Sequence, residues 1–554
     1  MKPISLDDKY TALSGRVYLT GIQALVRLPI SQHLRDQAAG LNTAGYVSGY
    51  RGSPLSGYDS ELIKARKILE PQNIFFDPGL NEELGATAVW GSQQAGIFGK
   101  PKFDGVHSIW YGKNPGLDRS GDALKHGNFN GSAKHGGVLC VVGDDHAAKS
   151  ATMPNQGEFA FMSFLMPVLY PSNVQEVIDF GLYGWAMSRF SGCWLGFKVL
   201  PQLMDASASV SIDPDRVNIT IPDFAFPPDG VNIRWPDDRF SPEARLLDFK
   251  LPAAQAFARA NKIDRVAFGE GKRFGIVTAG KSFHDVQQAL EELGIDERRA
   301  NQLGISVLKL GLTWPLDPVG AKEFAEGREE ILVVEEKQPI IQDQLRTILY
   351  HLPESRRPRV VGQTDQEGRA VLSAKMDLDP LEVAQAIARR LLASQSDRDL
   401  THALERVDAQ LSRPGWAKTN MQRVPYFCSG CPHSSSIPRP MDSREMGGIG
   451  CHWMAVWHPE FDLEPSTQMG GEGANWVGQS HFTETNHVFQ NLGDGTYYHS
   501  GYLAIRWAIS VGVNITYKIL YNDASAMTGG AGRCPRGSRT PQPGRWPPAG
   551  AGRW

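Results

Sequence analysis

Between residues 273 and 393 apolar and polar positions follow two alternating periods. "RFGIVTAG" (273–280), "GISVLKLG" (304–311), "EILVVEE" (330–336) and "PRVVGQ" (358–363) are short apolar runs bounded by glycine, proline or charge, the pattern of buried strands. Helical spacing governs "SFHDVQQALEELG" (282–294), "PIIQDQLRTILYHL" (339–352) and "PLEVAQAIARRLLA" (380–393). Alternation of this kind predicts right-handed crossovers and a mostly parallel sheet with helices on both faces. A second α/β unit starts near Val424, with strands at "HVFQNL" (487–492) and "NITYKILY" (514–521) around a helix-like "SGYLAIRWAISVG" (500–512). The polar stretch 394–420 reads as a linker helix and loop. The first 240 residues read as a larger, glycine-loop-rich α/β region that ends in the proline-rich "VNITIPDFAFPPDG".

Composition narrows the function classes. The chain has 554 residues, and its net charge of -3 argues against a nucleic-acid-binding surface. No apolar run reaches the roughly 18 residues of a membrane span, and the N-terminus has no signal-peptide core. Six cysteines in a chain this long are not a disulfide scaffold. A cytoplasmic, reducing setting is therefore expected, which leaves clustered cysteines free for metal or redox chemistry. Residues 531–554 hold five Arg, five Gly and five Pro and no Val, Ile, Leu or Met. They are expected to be disordered, and to be the out-of-frame tail of a truncated or frameshifted chain, or else a natural variant tail.

Two polar loops follow the last two strand-like runs. The first run delivers Gly493, Asp494 and Gly495; the second delivers Asn522, 28 residues beyond Asp494. That interval suits a strand–helix–strand unit, and in a parallel sheet both loops sit at carboxyl ends, where open α/β sheets bind ligands. One carboxylate and one amide oxygen suit Mg²⁺, which takes few protein ligands and keeps water and substrate phosphates. Turn formation alone is the competing reading of either loop.

The spacing resembles the thiamine-diphosphate motif. Together with "FCSGCPHSSS" (427–436), "GGIGCHW" (447–453), "TQMGGEGANW" (467–476) and "NDASAMTGG" (522–530), the chain resembles the long, fused bacterial form of the indolepyruvate:ferredoxin oxidoreductase family. Upstream, "GYRGSPLSGYD" (49–59), "NEELGATAVWGSQQAG" (81–96), "GDDHAAKSATMPNQ" (143–156) and "YPSNVQEVIDF" (170–180) fit the same family. The resemblance runs from Ser5 to Gly530. It implies an α/β protein of several doubly wound, mostly parallel thiamine-diphosphate-type domains, the last incomplete. A pyrimidine-type domain would span 1–240, a transketolase C-terminal-like domain 265–395, a linker 396–423 and a partial diphosphate-type domain 424–530.

The resemblance also implies residue roles. Asp494 and Asn522 would hold Mg²⁺ on the diphosphate, with the Ala524 carbonyl as a third protein ligand. Gly470 and Gly471, like Gly493 and Gly495, would border the cofactor. Glu82, rather than Glu83, would pair with the aminopyrimidine N1′ and so favour the imino tautomer that removes the thiazolium proton. Read on their own, the two glutamates simply suit a helix N-terminus. Ser53 matches a position near the substrate or pyrimidine. His126, His146 and the Lys113, Asp118, Arg119 loop are candidates to face the substrate carboxylate, or to make ordinary loop hydrogen bonds.

Cys428, Cys431 and Cys451 form a soft-metal pattern. By resemblance they would hold a [4Fe–4S] cluster whose fourth ligand is not found in this chain. Zinc with His433, or a structural role without metal, are the alternatives. Cys140 and Cys193 read as core residues, and Cys534 falls in the tail. The activity implied is oxidative decarboxylation of an aryl pyruvate, a 2-oxoacid, with CoA and ferredoxin as partners, by a homodimer that binds neither nucleic acid nor membrane. This chain itself is expected to be an inactive truncated form. A non-redox thiamine-dependent decarboxylase or carboligase, and a dead fragment serving as a binding partner, are the other readings.

Overall fold

The computed structural model describes residues 5–412 and 425–521. The chain divides into two compact units, residues 1–418 and 419–554.

The first unit opens with strands β1 (Arg16–Thr20), β2 (Thr43–Gly49), β3 (Ile74–Phe76), β4 (Gly105–Lys113), β5 (Val138–Gly143), β6 (Val168–Leu169), β7 (Leu195–Val199) and β8 (Ser207–Ser211). It continues with β9 (Arg265–Phe268), β10 (Phe274–Ala279), β11 (Ile305–Leu310), β12 (Leu312–Trp314), β13 (Glu330–Val334) and β14 (Arg359–Val361). β1 and β8 pair as an antiparallel ribbon. A seven-stranded sheet runs β12-β6-β7-β5-β4-β2-β3, parallel except for β12 against β6. A five-stranded sheet runs β14-β13-β10-β11-β9, parallel except for β9.

Burial explains the strand sequences. Every residue of β5, "VLCVVG", is buried, as in a central strand covered on both faces. One face packs on helices such as Gly21–Ala38 and Val174–Ser191, through Leu25, Leu28 and Trp185. The other packs on Glu82–Gln93 through Ala86 and Val89, beside Cys140 and Trp194. The five-stranded sheet is likewise covered on two sides, by two separate apolar clusters. The architecture is doubly wound α/β.

The connections differ from an expectation of separate domains in two places. Residues 241–260 are helical and contribute Leu246, Leu251 and Phe257 to the core of the first sheet. Within 396–423, Arg398–Leu411 is a helix that buries Leu400, Ala403 and Val407 in the core of the five-stranded sheet, while 413–424 lie outside the described residues. The chain also passes between sheets at Gly311, since β11 belongs to one sheet and β12 to the other. Asp264 fixes that crossing by accepting the backbone N–H groups of Gly311 at 2.7 Å and Leu312 at 3.0 Å.

In the second unit β15 (Arg444–Met446), β16 (Val488–Gly493) and β17 (Ile515–Leu520) form a parallel sheet in the order β15-β16-β17. The helix Tyr502–Val511 links β16 to β17. Among the described residues no helix is long and apolar enough to cross a membrane.

Candidate functional site

β16 carries its chain to Asp494 at the carboxyl end of the middle strand of this sheet. Asp494 is 3% exposed, and its Oδ1 accepts the Gly495 N–H at 2.9 Å. A short helix begins there and leads into Tyr502–Val511. The preceding loops press against it: the Thr496 hydroxyl donates to the Ile449 carbonyl at 3.1 Å. Glu472, between two glycines, is fully buried and takes the N–H groups of Ile449 at 3.1 Å and Gly470 at 2.6 Å. The amide of Gly470 is thus directed at Glu472, and that of Gly471 at the Gln468 carbonyl at 3.0 Å. Gly473 has φ +82°, and a Cβ there would stand 2.2 Å from the Tyr517 hydroxyl oxygen, so glycine is required. Asn522 and Ala524 lie outside the described residues.

The cysteine segment adjoins this loop. Cys428 and Cys431 are joined by a turn in which the Cys431 N–H donates to the Cys428 carbonyl at 3.0 Å. Cys451 opens the short helix Cys451–Trp457. Burial raises its thiol pKa, and the nearby Cys431 and Cys428 raise it further, so the three sulfurs share one electrostatic neighbourhood. Among the described residues no group of three or more His, Cys, Asp or Glu is arranged to hold a single metal ion.

Two histidines lie beside the cysteines. His433 Nδ1 is 3.2 Å from Cys431 Sγ. Its ring stacks on His452, with centroids 6.1 Å apart and planes 3° from parallel. Burial lowers the His433 pKa and the Asp494 carboxylate opposes that shift. His452 is fully buried, and burial with the adjacent His433 brings it down to about 3. Beneath them, Lys518 of β17 reaches the carbonyls of Ser436 at 3.2 Å and Ile437 at 3.0 Å and the buried Glu445 carboxylate at 2.8 Å.

The first unit holds Glu82 separately. Asn81 caps its helix, accepting the Leu84 N–H at 2.8 Å, and the Trp110 indole donates to the Glu82 carbonyl at 2.9 Å. The Glu82 side chain lies against Gly112 and Gly116, and a Cβ on Gly116 would come within 2.3 Å of Glu82 Cγ. Glu82 is buried, 7% exposed, beside Gly112 near the carboxyl end of β4.

Other expected positions fall differently. His146 does not face an open loop; it is buried with Nδ1 2.6 Å from Glu336 Oε2. His126 is exposed and sits beside the Trp90 ring. The Lys113 ammonium is bonded to the Ser150 carbonyl. The Asp118 carboxyl is pushed up by burial and by Asp144. Cys140 and Cys193 are buried in the core, and burial raises both thiols. Cys534 lies outside the described residues. Sequence reasoning missed Glu472, His452 and Lys518. The run "GGEGAN" held a signal for the first, because glycines on both sides of one charge mark a close approach.

Comparison with known proteins adds the following. An indolepyruvate oxidoreductase domain family matches residues 264–413. An indolepyruvate oxidoreductase subunit IorA from Methanothermobacter thermautotrophicus is 25% identical over 95% of this chain and 78% of its own length. The subunit of that name from Pyrococcus abyssi is 23% identical over 94% of this chain and 78% of its own. Among solved structures, a 2-oxoglutarate:ferredoxin oxidoreductase from Magnetococcus marinus is 14% identical with a TM-score of 0.48; the match covers 68% of this chain and 65% of that one.

Proposed function

We propose, for a chain that belongs to the indolepyruvate oxidoreductase family, the oxidative decarboxylation of an aryl pyruvate with CoA as acyl acceptor and ferredoxin as electron acceptor. The chain is an oxidoreductase of that family. One observation carries the reading. His433 lies 3.2 Å from a cysteine sulfur and also within the field of Asp494. This supports a proposed soft-ligand site and a proposed oxygen-ligand site that would share a wall, as a reaction needs when it passes electrons from an organic cofactor to a metal cluster.

Thiamine diphosphate, when bound, supplies the acidic carbon and the electron sink for decarboxylation. The residues present fit it in two respects. Asp494 offers a buried carboxylate whose Oδ1 is oriented by Gly495, the arrangement Mg²⁺ on a diphosphate requires. Asn522 and the Ala524 carbonyl are the proposed further ligands, and Gly493 and Gly495 border the diphosphate. Glu82, in the space left by Gly112 and Gly116, would receive the pyrimidine N1′ and hold a proton there. Cys428, Cys431 and Cys451 would supply thiolates to a [4Fe–4S] cluster. The two electrons released would leave singly to ferredoxin while the acyl group passes to the CoA thiol and carbon dioxide departs. A cytoplasmic homodimer is the proposed form.

The test is anaerobic turnover of indolepyruvate after reconstitution with thiamine diphosphate, Mg²⁺, iron and sulfide. CoA-dependent viologen reduction faster than about 1 s⁻¹ supports the proposal. Decarboxylation without acceptor reduction assigns the chain to non-redox chemistry instead.

A further inference from the structure

At the carboxyl ends of β5, β7, β10 and β13 the two large sheets of the first unit direct charged side chains into one buried region. On one side Lys281 Nζ lies 2.8 Å from Glu336 Oε1, and Glu336 Oε2 lies 2.6 Å from His146 Nδ1. On the other, Lys198 Nζ lies 2.5 Å from Glu158 Oε1 and 3.5 Å from Asp144 Oδ2. The Asn114 amide then donates to Asp144 Oδ1 at 2.9 Å. Between the two halves is a cavity of about 20 Å³, whose lining includes His146, Glu158, Tyr170 and Lys198.

Three polar atoms of this lining have no hydrogen-bond partner among the described residues: His146 Nε2, Glu158 Oε2 and the Tyr170 hydroxyl. Their residues are 4%, 6% and 6% exposed. Buried polar atoms are nearly always paired, with protein or with ordered water. The Lys281 amide approaches the phenol oxygen, so the hydroxyl proton is the group that needs an acceptor.

Size fixes the class of occupant. One water centre needs roughly 10–15 Å³, whereas organic ligands occupy pockets of about 300–1,000 Å³. Hydrogen-bond roles then choose among single-atom guests. The 2.6 Å contact with a carboxylate puts a proton on Nδ1 and leaves Nε2 at the cavity, 3.9 Å from Asp144 Oδ2. Glu158 Oε2 is an acceptor and the Tyr170 hydroxyl a donor. Water both donates and accepts, so it satisfies all three whichever role the ring nitrogen takes. A bare monovalent cation would find one free carboxylate oxygen and would face the Lys198 ammonium already held by Glu158.

We propose that this cavity is a binding site for one resident water, which bonds to His146 Nε2, donates to Glu158 Oε2, accepts from the Tyr170 hydroxyl, and closes a chain of hydrogen bonds and ion pairs from Lys281 to Asn114. Asn114 opens the helix Asn114–Arg119, whose Gly116 backs Glu82. The water thus ties the wall of the Glu82 pocket to the five-stranded sheet. The site stands on this geometry whatever Glu82 does.

A high-resolution crystal structure of the full chain, with a second crystal soaked in rubidium, tests the proposal. The expected result is one water-strength peak within hydrogen-bond distance of all three atoms and no anomalous signal there. A dry cavity, or a rubidium peak, overturns it. In solution, Tyr170→Phe and Glu158→Gln act on the same water, so their losses of Tm should sum to more than the loss in the double variant. Strict additivity, or no loss, also overturns it. Neither readout involves turnover, so either outcome leaves the proposed catalytic function standing or falling on its own test.

Discussion

His433 Nδ1 and Cys431 Sγ stand 3.2 Å apart, and the same imidazole feels the charge of Asp494. On the proposed function, one ring would border two sites of different chemistry. Replacing His433 with Ala should weaken both at once, by the roughly 10–100-fold that loss of an outer partner costs a metal site. Asp494→Ala should cost more than that in affinity for thiamine diphosphate with Mg²⁺, while sparing iron binding. Calorimetry and iron analysis of the two variants check this. Equal loss of iron in both would show that Asp494 is only a structural residue.

The cysteines should separate into two groups. Ser at 428, 431 or 451 is expected to lower bound iron and the broad visible absorbance after anaerobic reconstitution. Ser at 140 or 193 is expected to leave iron content unchanged, because those thiols are buried in the core of the first unit.

Gly116→Ala should displace the Glu82 carboxylate, since the new methyl would lie 2.3 Å from Cγ. Overpacking of this kind costs about 1–3 kcal/mol. The functional loss should exceed what that destabilisation explains, with kcat falling toward the level of Glu82→Gln, a change of about 10²–10⁴-fold if general acid–base work is lost. A Gly116→Ala enzyme with full kcat would remove Glu82 from the reaction.

Acid should loosen the first unit through Glu336. Its hydrogen bond and ion pair with His146, reinforced by Lys281, outweigh burial and hold its pKa at about 2. A carboxylate depressed in the folded state contributes stability that is complete above its unfolded value near pH 4.5 and is lost as pH falls toward 2. The contribution is on the order of a few kcal/mol. Urea melts between pH 5 and 2 should therefore show a shallower pH dependence in Glu336→Gln than in the native chain. Parallel curves would show that the pair is not linked to folding.

Lys518→Met should unsettle the second unit. It leaves the buried Glu445 carboxylate without its cation, a change that costs about 3–5 kcal/mol when a buried pair is broken. It also releases the carbonyls at the end of the cysteine segment. A fall in Tm accompanied by lost iron retention, both restored by Lys518→Arg, is the expected pattern.

Several strands were readable in the sequence because they are buried on both faces. β10, β11 and β13 are mostly apolar runs of five or six residues, every one buried, and each lies within its expected span. The Gly-Asp-Gly loop and the Cys-x-x-Cys turn were legible because their geometry is local. β6 and β12, with two and three residues, are too short to carry a period. The partner of His146 lies 190 residues away, and no local pattern announces such a pair. Glu445 looks like a surface charge in "SREMGG" until Lys518 is brought beside it.

The passage of the chain through Gly311 bears on how such proteins can be cut and recombined. The segment from 264 to 413 carries a recognisable family domain, yet β12 within it is an edge strand of the seven-stranded sheet. Excising that segment would strip the donor of an edge strand and leave the excised piece with three residues lacking their hydrogen-bond ladder. A gene fusion or split in this lineage that respects folding would therefore keep residues 1–412 as one inherited block, and a protein engineer choosing a permutation or fusion point should look beyond residue 412.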